Sequence, residues 1–572
     1  MRGGTTRQSH NMHKLLQHFK ELTVRPKNAQ ELKGLILQLA IQGKLTANWR
    51  AANPNIETAS ELLSKINTTQ KLITKSKKAR KETAKKEFLK VDVNFKIPNT
   101  WISRNITEFY YTIGRKSNQI KSKNYKEAGK YPIVSQGKNR IDGYSDDESK
   151  LLKLSKPVVV FGDHTRLVKY IDFDFIIGAD GTKILNPFDG VDSKYFYLHT
   201  SYYDLSSKGY ARHYSLLKLE AFCLPPLEEQ KEIVKVVETL FKEVEQLEQL
   251  TVERIGLKED FVTSALHQLT TNNANQEWRF LQEHFKSFFN ERTNIKRLRE
   301  TVLQLAVQGK LTADWREQRT LKGAEVEDAA ILLKRIQKEK AQLIKDKILK
   351  KEKALPPITK DEIPYELPDG WVWCRFFKII NMFLTGPFGS MLHKSDYVEN
   401  GIPVINPQQL VNGQIIPSAK MQVSEETVKR LSRYVLNQGD IVIARRGEMG
   451  RCAIVTENEN GFLCGTGSFF LKLNKRIQRQ FVYQLFQSEL IRDYLTYSSN
   501  GVTMSNLNQA TLLNMIVPLP PLEEQKVLVQ KVNSLMGLCD KLEREVQQSQ
   551  EHSEQLMKSC LREVFEGEKA EI

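Results

Sequence analysis

The residues of this 572-residue chain best suited to chemistry are polar clusters that match the edges of nucleic-acid bases. Arginine and lysine pair with guanine, asparagine and glutamine with adenine, while hydroxyls and backbone groups fix register. One set lies between 135 and 213: Gln136, Lys138 and Arg140 in SQGKNR, His164 and Arg166 in HTR, and Lys208, Tyr210 and Arg212 in KGYARH. A second lies between 406 and 506: Gln408 and Gln409 in NPQQ, Arg445, Arg446 and Arg451 in RRGEMGR, and Asn500, Thr503 and Ser505 in NGVTMSN. Each cluster alone fits an ordinary surface loop better than a base contact, so their weight lies in occurring together in two basic stretches.

Motifs for covalent chemistry are missing. Adenine methylation would call for N-P-P-Y or D-P-P-Y, and Asn186-Pro187-Phe188 and Asn406-Pro407-Gln408 approach it only superficially. No phosphate-binding G-x-x-x-x-G-K-[ST] is present, no glycine-rich cofactor turn follows an apolar strand, and no nuclease-type constellation stands out. The six cysteines are scattered without a C-x-x-C pair, which argues for a reducing compartment and against zinc. We therefore expect no catalytic residue, no metal ligand and no cofactor in this chain.

Charge names the class of partner. The formal net charge is +18 and the pI about 9.3, which favours a polyanion, with nucleic acid first and an anionic membrane second. No apolar run of about 18 residues occurs, and the N-terminus lacks the apolar core of a signal peptide. The expectation is a cytoplasmic protein with no membrane partner.

The elements that must position these clusters are written twice. QLAIQGKLTANWR (38–50) returns as QLAVQGKLTADWR (304–316), and PPLEEQK (225–231) returns at 520–526. The first frame overlays the second at an offset of 266, His18-Phe19-Lys20 meeting His284-Phe285-Lys286. In both copies an amphipathic helix stops near Gly43 or Gly309, a basic helical stretch follows (61–86 and 331–353), and a proline corner closes it at Pro98 or Pro368. The basic stretches are either phosphate contacts or solvated helix faces. Between each corner and each PPLEEQK lies an unlike module with short β-like runs such as Pro157–Phe161 and Asp440–Ala444. A Ser-Ser-x-Gly turn precedes each exit, at 206–209 and 498–501.

After each exit comes heptad spacing: Ile233, Val237, Leu240, Val244 and Leu247, then Leu528, Val532, Leu535, Cys539 and Leu542 in the same slots at an offset of 295. The larger offset places the extra length of the second half in its module. These residues predict a helix–helix seam. The expected architecture is α+β: two globular recognition domains joined by two long helices packed as an antiparallel coiled coil, with a pseudo-twofold internal repeat. Its expected divisions are a tail (1–11), repeat helices with the basic stretch (12–96), domain one (97–224), the central heptad helix and linker (225–277), the second helical copy (278–366), domain two (367–519), the last heptad helix (520–565) and a tail (566–572). A helix of about 30 residues spans about 45 Å, enough to hold two readers about one DNA turn apart.

The doubled PPLEEQK, the phrase LNQGDIVIAR (436–445) and the turn Ser499-Asn500-Gly501-Val502 resemble the DNA-specificity (HsdS) subunits of type I restriction-modification systems. The resemblance runs from about Asn11 to Phe565. It implies that each module is a target recognition domain reading half of a bipartite DNA site, and that the repeated helices set the spacing and dock two methyltransferase subunits. It also implies two motor-nuclease subunits, with S-adenosylmethionine, ATP and Mg held by those partners. Module one lacks the Gly-Asp-Ile-Val-Ile-Ala-Arg phrase; its nearest match by sequence is Val160-Phe161-Gly162-Asp163-His164-Thr165-Arg166. A specificity subunit for a fused methylase-nuclease, or a coiled-coil scaffold that binds no DNA, remain as alternatives.

Overall fold

A computed structural model of the chain describes residues 26–75, 92–178, 181–205, 212–271, 275–321, 327–349, 355–388, 391–499 and 507–566. The chain forms two compact units, residues 1–255 with 554–572, and residues 256–553.

In the first unit α1 (Pro26–Ile41) ends at Gly43, whose φ is 69°. A Cβ there would stand 2.5 Å from Pro98 Cγ, so the glycine both stops the helix and admits the proline corner. Helix α2 (Ala59–Lys75) buries Leu62 and Ile66 and leaves Lys65 and Lys71 in water. Its described part is a solvated basic face on an apolar anchor. Strands follow: β1 (Ile102–Asn105), β2 (Tyr110–Ile113), β3 (Tyr131–Val134), β4 (Val158–Gly162), β5 (Val168–Ile171), β6 (Phe175–Ile177) and β7 (Thr182–Pro187). Then come α3 (Ser193–Tyr202), β8 (Ala221–Leu224) and α4 (Leu227–Thr271), whose last part belongs to the second unit. The apolar run of β4 is buried throughout and lies inside an antiparallel sheet of order β2-β7-β4-β5. Strand β3 pairs parallel with β6, and β1 zips antiparallel to β8, so the module is entered and left through one ribbon.

The second unit repeats this plan with different residues. It contains α5 (Arg292–Val307), α6 (Ala329–Lys345), β9 (Val372–Arg375), β10 (Ile380–Thr385), β11 (Tyr397–Ile405), β12 (Ile441–Ala444), β13 (Cys452–Ile454), β14 (Leu463–Cys464) and β15 (Ser468–Leu473). Helices α7 (Arg479–Gln487) and α8 (Glu489–Ser499), strand β16 (Ile516–Leu519) and α9 (Leu522–Glu566) complete it. The sheet order is β10-β15-β12-β13, β11 pairs parallel with β14, and β9 zips to β16. The fold is α+β, with one sheet scaffold built twice.

The doubled phrases clamp each exit helix to its frame. Glu229 is fully buried and accepts from Thr46 Oγ1 (2.7 Å), Arg50 Nε (2.9 Å) and Trp101 Nε1 (2.8 Å). Gln230 accepts from the backbone of Asp192, which caps α3, at 2.8 Å. In the second half Glu524 accepts from Thr312 Oγ1 (2.6 Å) and from Arg316, and Gln525 accepts from Gln478 N (3.0 Å) just before α7. Trp371 Nε1 has no hydrogen-bond partner among the described residues, so the second clamp has one donor fewer. Buried charges persist only when paired and hydrogen-bonded, which explains why glutamate, arginine and threonine recur as a set.

Both exit helices run 45 residues, about 68 Å, longer than the 30 residues expected. The predicted seam needs correction. Ile233, Val237, Leu240 and Val244 join the core of the first unit, with Leu247 partly buried against it. Leu528 and Val532 join the core of module two, with Leu535 alongside. Only Cys539 and Leu542 lie in a helix–helix cluster, with Val262, Ala265 and Leu266 of α4 and Phe289 and Ile295. The clamps start each helix on its own module, so its first turns bury their stripe there. Pairing between the long helices begins further along and is antiparallel: α4 residues 262–266 meet α9 residues 539–546, while α9 residues beyond 554 group with the first unit.

Candidate nucleic-acid interface

The sheet registers place the two modules in correspondence. Gly162 stands opposite Thr182 and Ala444 opposite Ser468, so β4 matches β12 and the next residues, Asp163 and Arg445, are equivalent. Asp163 N donates to Gly181 O (2.8 Å) and Arg445 N to Gly467 O (3.1 Å); Asp163 O accepts from His213 N (2.7 Å) and Arg445 O from Leu507 N (3.1 Å). This overturns the sequence match of Gly162-Asp163 with Gly439-Asp440. By that register Gln438-Gly439-Asp440 correspond to Lys156-Pro157-Val158, at the start of β4. Valines and isoleucines of a buried strand are interchangeable, so the short Gly-Asp pair misled.

At this end of each sheet several loops meet. The loop after β3 touches the β4–β5 hairpin: Gln136 Oε1 accepts from His164 N (3.1 Å) and Gln136 O from Thr165 Oγ1 (2.7 Å). The equivalent loop after β11 carries Asn406, whose Oδ1 accepts from Gly467 N at 3.4 Å. Strands β2 and β10 also leave at this end, Ile113 opposite Ile184 and Leu384 opposite Phe470. Thus most of the described sequence-predicted residues of each module lie on one set of loops; Arg140 does not, because its partner Asp172 follows Ile171, which stands opposite Val158 at the other end of β4.

Their duties differ. Lys138, Arg212, Gln408 and Arg446 are exposed, while Gln136 and His164 are half-buried. Arg140 is exposed but paired with Asp172 at 2.6 Å and lies over the Phe173 ring. Arg166 adopts a left-handed φ of 63° and donates to Leu205 O at 2.8 Å, so it braces the hairpin. Gln409 is buried and accepts from Asn406 N at 3.1 Å, which makes it a turn cap and removes it as a base reader. Lys208, Tyr210, Asn500, Thr503 and Ser505 lie outside the described residues.

Arg445 is half-buried, 5.0 Å over the Phe469 ring, and its Nε has no hydrogen-bond partner among the described residues. Burial first, and then the charge of Arg446, lowers its pKa from the usual guanidinium value. Arg451 Nε on the same hairpin is also unpartnered. Both Nε atoms are shut off from solvent; three guanidinium groups on one hairpin, with Arg446 exposed, are an arrangement suited to guanine or phosphate. Sequence reasoning missed Arg492, on α8, whose Nη2 donates to Gln487 Oε1 at 2.8 Å while its Nε is unpartnered. It also missed the exposed pair Arg115-Lys116 at the exit of β2, although two cations directly after an apolar strand were legible.

Burial pushes the thiols of Cys223, Cys374 and Cys452 up to about 12, and raises those of Cys464 and Cys539 as well. These sulfurs are neutral packing groups at neutral pH. Among the described residues no three His, Cys, Asp or Glu side chains gather to hold a metal, and no helix is long and apolar enough to cross a membrane.

The family model described as "Type I restriction modification DNA specificity domain" matches residues 98–254 and 387–551. The chain is 26% identical over 551 residues to the Type I restriction enzyme EcoAI specificity subunit of Escherichia coli, covering 90% of each. It is 26% identical over 574 residues to the EcoEI specificity subunit of Escherichia coli, covering 91% of each. A solved chain from a study of type I R-M complex assembly is 16% identical, with 82% of this chain and 99% of that chain covered and a TM-score of 0.45. Two matched segments, one in each half of the duplicated chain and together covering more than half of it, place this chain in the type I restriction-modification DNA specificity family.

Proposed function

We propose that each module reads one half of a split, asymmetric DNA site, and that the two long helices set the distance between halves and dock two methyltransferase subunits. The observation that carries this reading is the same sheet end built twice with unlike loop residues. Identical readers related by a twofold would call for a palindrome, whereas unlike readers call for two different half-sites. A net charge of +18 supplies the sequence-independent attraction to phosphate.

This chain is the recognition component and carries no chemistry of its own. S-adenosylmethionine belongs to the methyltransferase partners, and ATP and Mg to two motor-nuclease subunits, all in the cytoplasm. Arg445, Arg446, Arg451 and Gln408 are the proposed readers in module two, and Gln136, Lys138, His164 and Arg212 in module one, with Arg115, Lys116 and Arg492 on phosphates.

The test is co-expression with the neighbouring methyltransferase in a methylation-free host, followed by mapping of modified adenines. A split motif with two unlike halves is expected. A verified complex that methylates nothing and binds DNA without sequence preference would favour the scaffold instead.

A further inference from the structure

Module two presents an aromatic ring at its loop-bearing sheet end. Phe388 is 58% exposed, on the run Gly386-Pro387-Phe388 that leaves β10. The backbone beneath it is tightly placed. Gly386 N donates to Ser468 O at 2.9 Å, and a Cβ on Gly386 would stand 2.7 Å from the Gly465 carbonyl carbon. Only glycine lets the β10 exit lie this close to the loop before β15. Pro387 then fixes its own φ, and Phe388 O accepts from Met391 N at 3.4 Å.

The same 465–467 loop receives Arg445 N at Gly467 O, so Phe388 belongs to the set of loops that carries Arg445, Arg446 and Arg451. An exposed phenylalanine among cations fits a polyanion that also offers apolar faces, and a stack of bases is that ligand. At the equivalent place module one carries Arg115-Lys116-Ser117, all exposed and none aromatic.

We propose that Phe388 inserts at a base step of the half-site read by module two and unstacks it. This rests on the DNA reading of that sheet end given above. A wedge contacts no phosphate, so it adds affinity without adding salt dependence.

The test uses the full chain with its methyltransferase subunits and duplexes carrying the mapped motif, with 2-aminopurine placed at successive positions. Apart from the adenine that the methyltransferase itself turns out of the helix, the wild-type complex should raise fluorescence at one further position of the module-two half-site. Phe388→Ala should abolish that rise and weaken motif binding about tenfold, with an unchanged salt slope; Phe388→Leu, still a wedge, should keep most of both. Wild-type preference for the motif with no effect of Phe388→Ala on fluorescence or affinity would overturn the wedge and leave the half-site reading standing. Loss of methyltransferase from the Phe388→Ala complex would also overturn it, because Phe388 would then be a protein contact. A wild-type complex with no motif preference would overturn both.

Discussion

At one position of one scaffold, module one holds an aspartate and module two an arginine. Asp163 is buried and spends its Oδ1 on Tyr214 N at 2.8 Å, while Arg445 stacks over Phe469 with an unpartnered Nε. At the neighbouring strand exit it is module one that carries the cations, Arg115-Lys116, while module two offers the uncharged Pro387-Phe388. The sheet fixes where loops emerge, and the loops decide what they present. Two modules with different loops therefore need no difference in fold.

The cores differ in a linked way too. His199 of α3 is fully buried and its Nε2 accepts from Cys223 N at 3.0 Å. Counted from the residues that receive the exit glutamines, Asp192 and Gln478, the counterpart of His199 is the buried Leu485. The strand registers make Pro518 the counterpart of Cys223. A histidine acceptor faces an N–H in one module; in the other, a leucine accompanies a residue with no N–H to satisfy.

The clamps offer the largest break in this comparison. Glu229→Ala leaves Arg50 without its buried partner and should cost about 3–5 kcal/mol. Glu524→Ala should cost less, since Glu524 lacks the tryptophan donor. Hydrogen exchange in β4 and in β12 would separate the two, and equal losses would show that Trp101 adds nothing.

Acid should separate the cores next. Burial lowers the His199 pKa to about 3 from an ordinary 6.5. The unfolded chain takes up that proton first, so the contribution of neutral His199 is complete above pH 6.5 and is lost as pH falls toward 3. The slope approaches about 1.4 kcal/mol per pH unit. Module one should therefore open more readily at pH 5 than at pH 7.5. His199→Leu should flatten that dependence while stranding the Cys223 N–H, at about 1–3 kcal/mol. Equal acid sensitivity in wild type and variant, followed by exchange in β4, would contradict this.

Arg445→Ala should cost about 1–3 kcal/mol of discrimination at one position of the module-two half-site and leave the other half unchanged. Competition binding against single-base variants of the motif measures it; equal damage to both halves would break the modular picture. The smallest effect is expected at Lys116→Ala, which should weaken all sequences alike and lower the slope of log affinity against log salt by about 1. A base-specific change there would sharpen the contrast by making Lys116 a reader.

Much of this was legible in the sequence because duplication is visible without structure. The frames, glycine stops, proline corners and buried strands all follow from patterns in residue type. The heptad slots at Ile233 to Leu247 showed that one helix face is apolar, but spacing is silent about what covers it, and the module itself covers most of it. Most of the polar loops lie at one end of each sheet. Composition gave no sign that Gln409 caps its own turn, that Arg166 braces Leu205, or that Arg140 is held by Asp172. Hydrogen bonds between distant residues decide which polar side chains remain for DNA.

The most direct measurement replaces residues Trp101–Leu224 with the corresponding module of a relative, retains both clamps, and maps adenine methylation by the resulting complex. One half of the split motif should change, with the other half and the spacing retained. A change in both halves, or an unchanged motif from a verified complex, would contradict the account of two independent readers on one repeated scaffold.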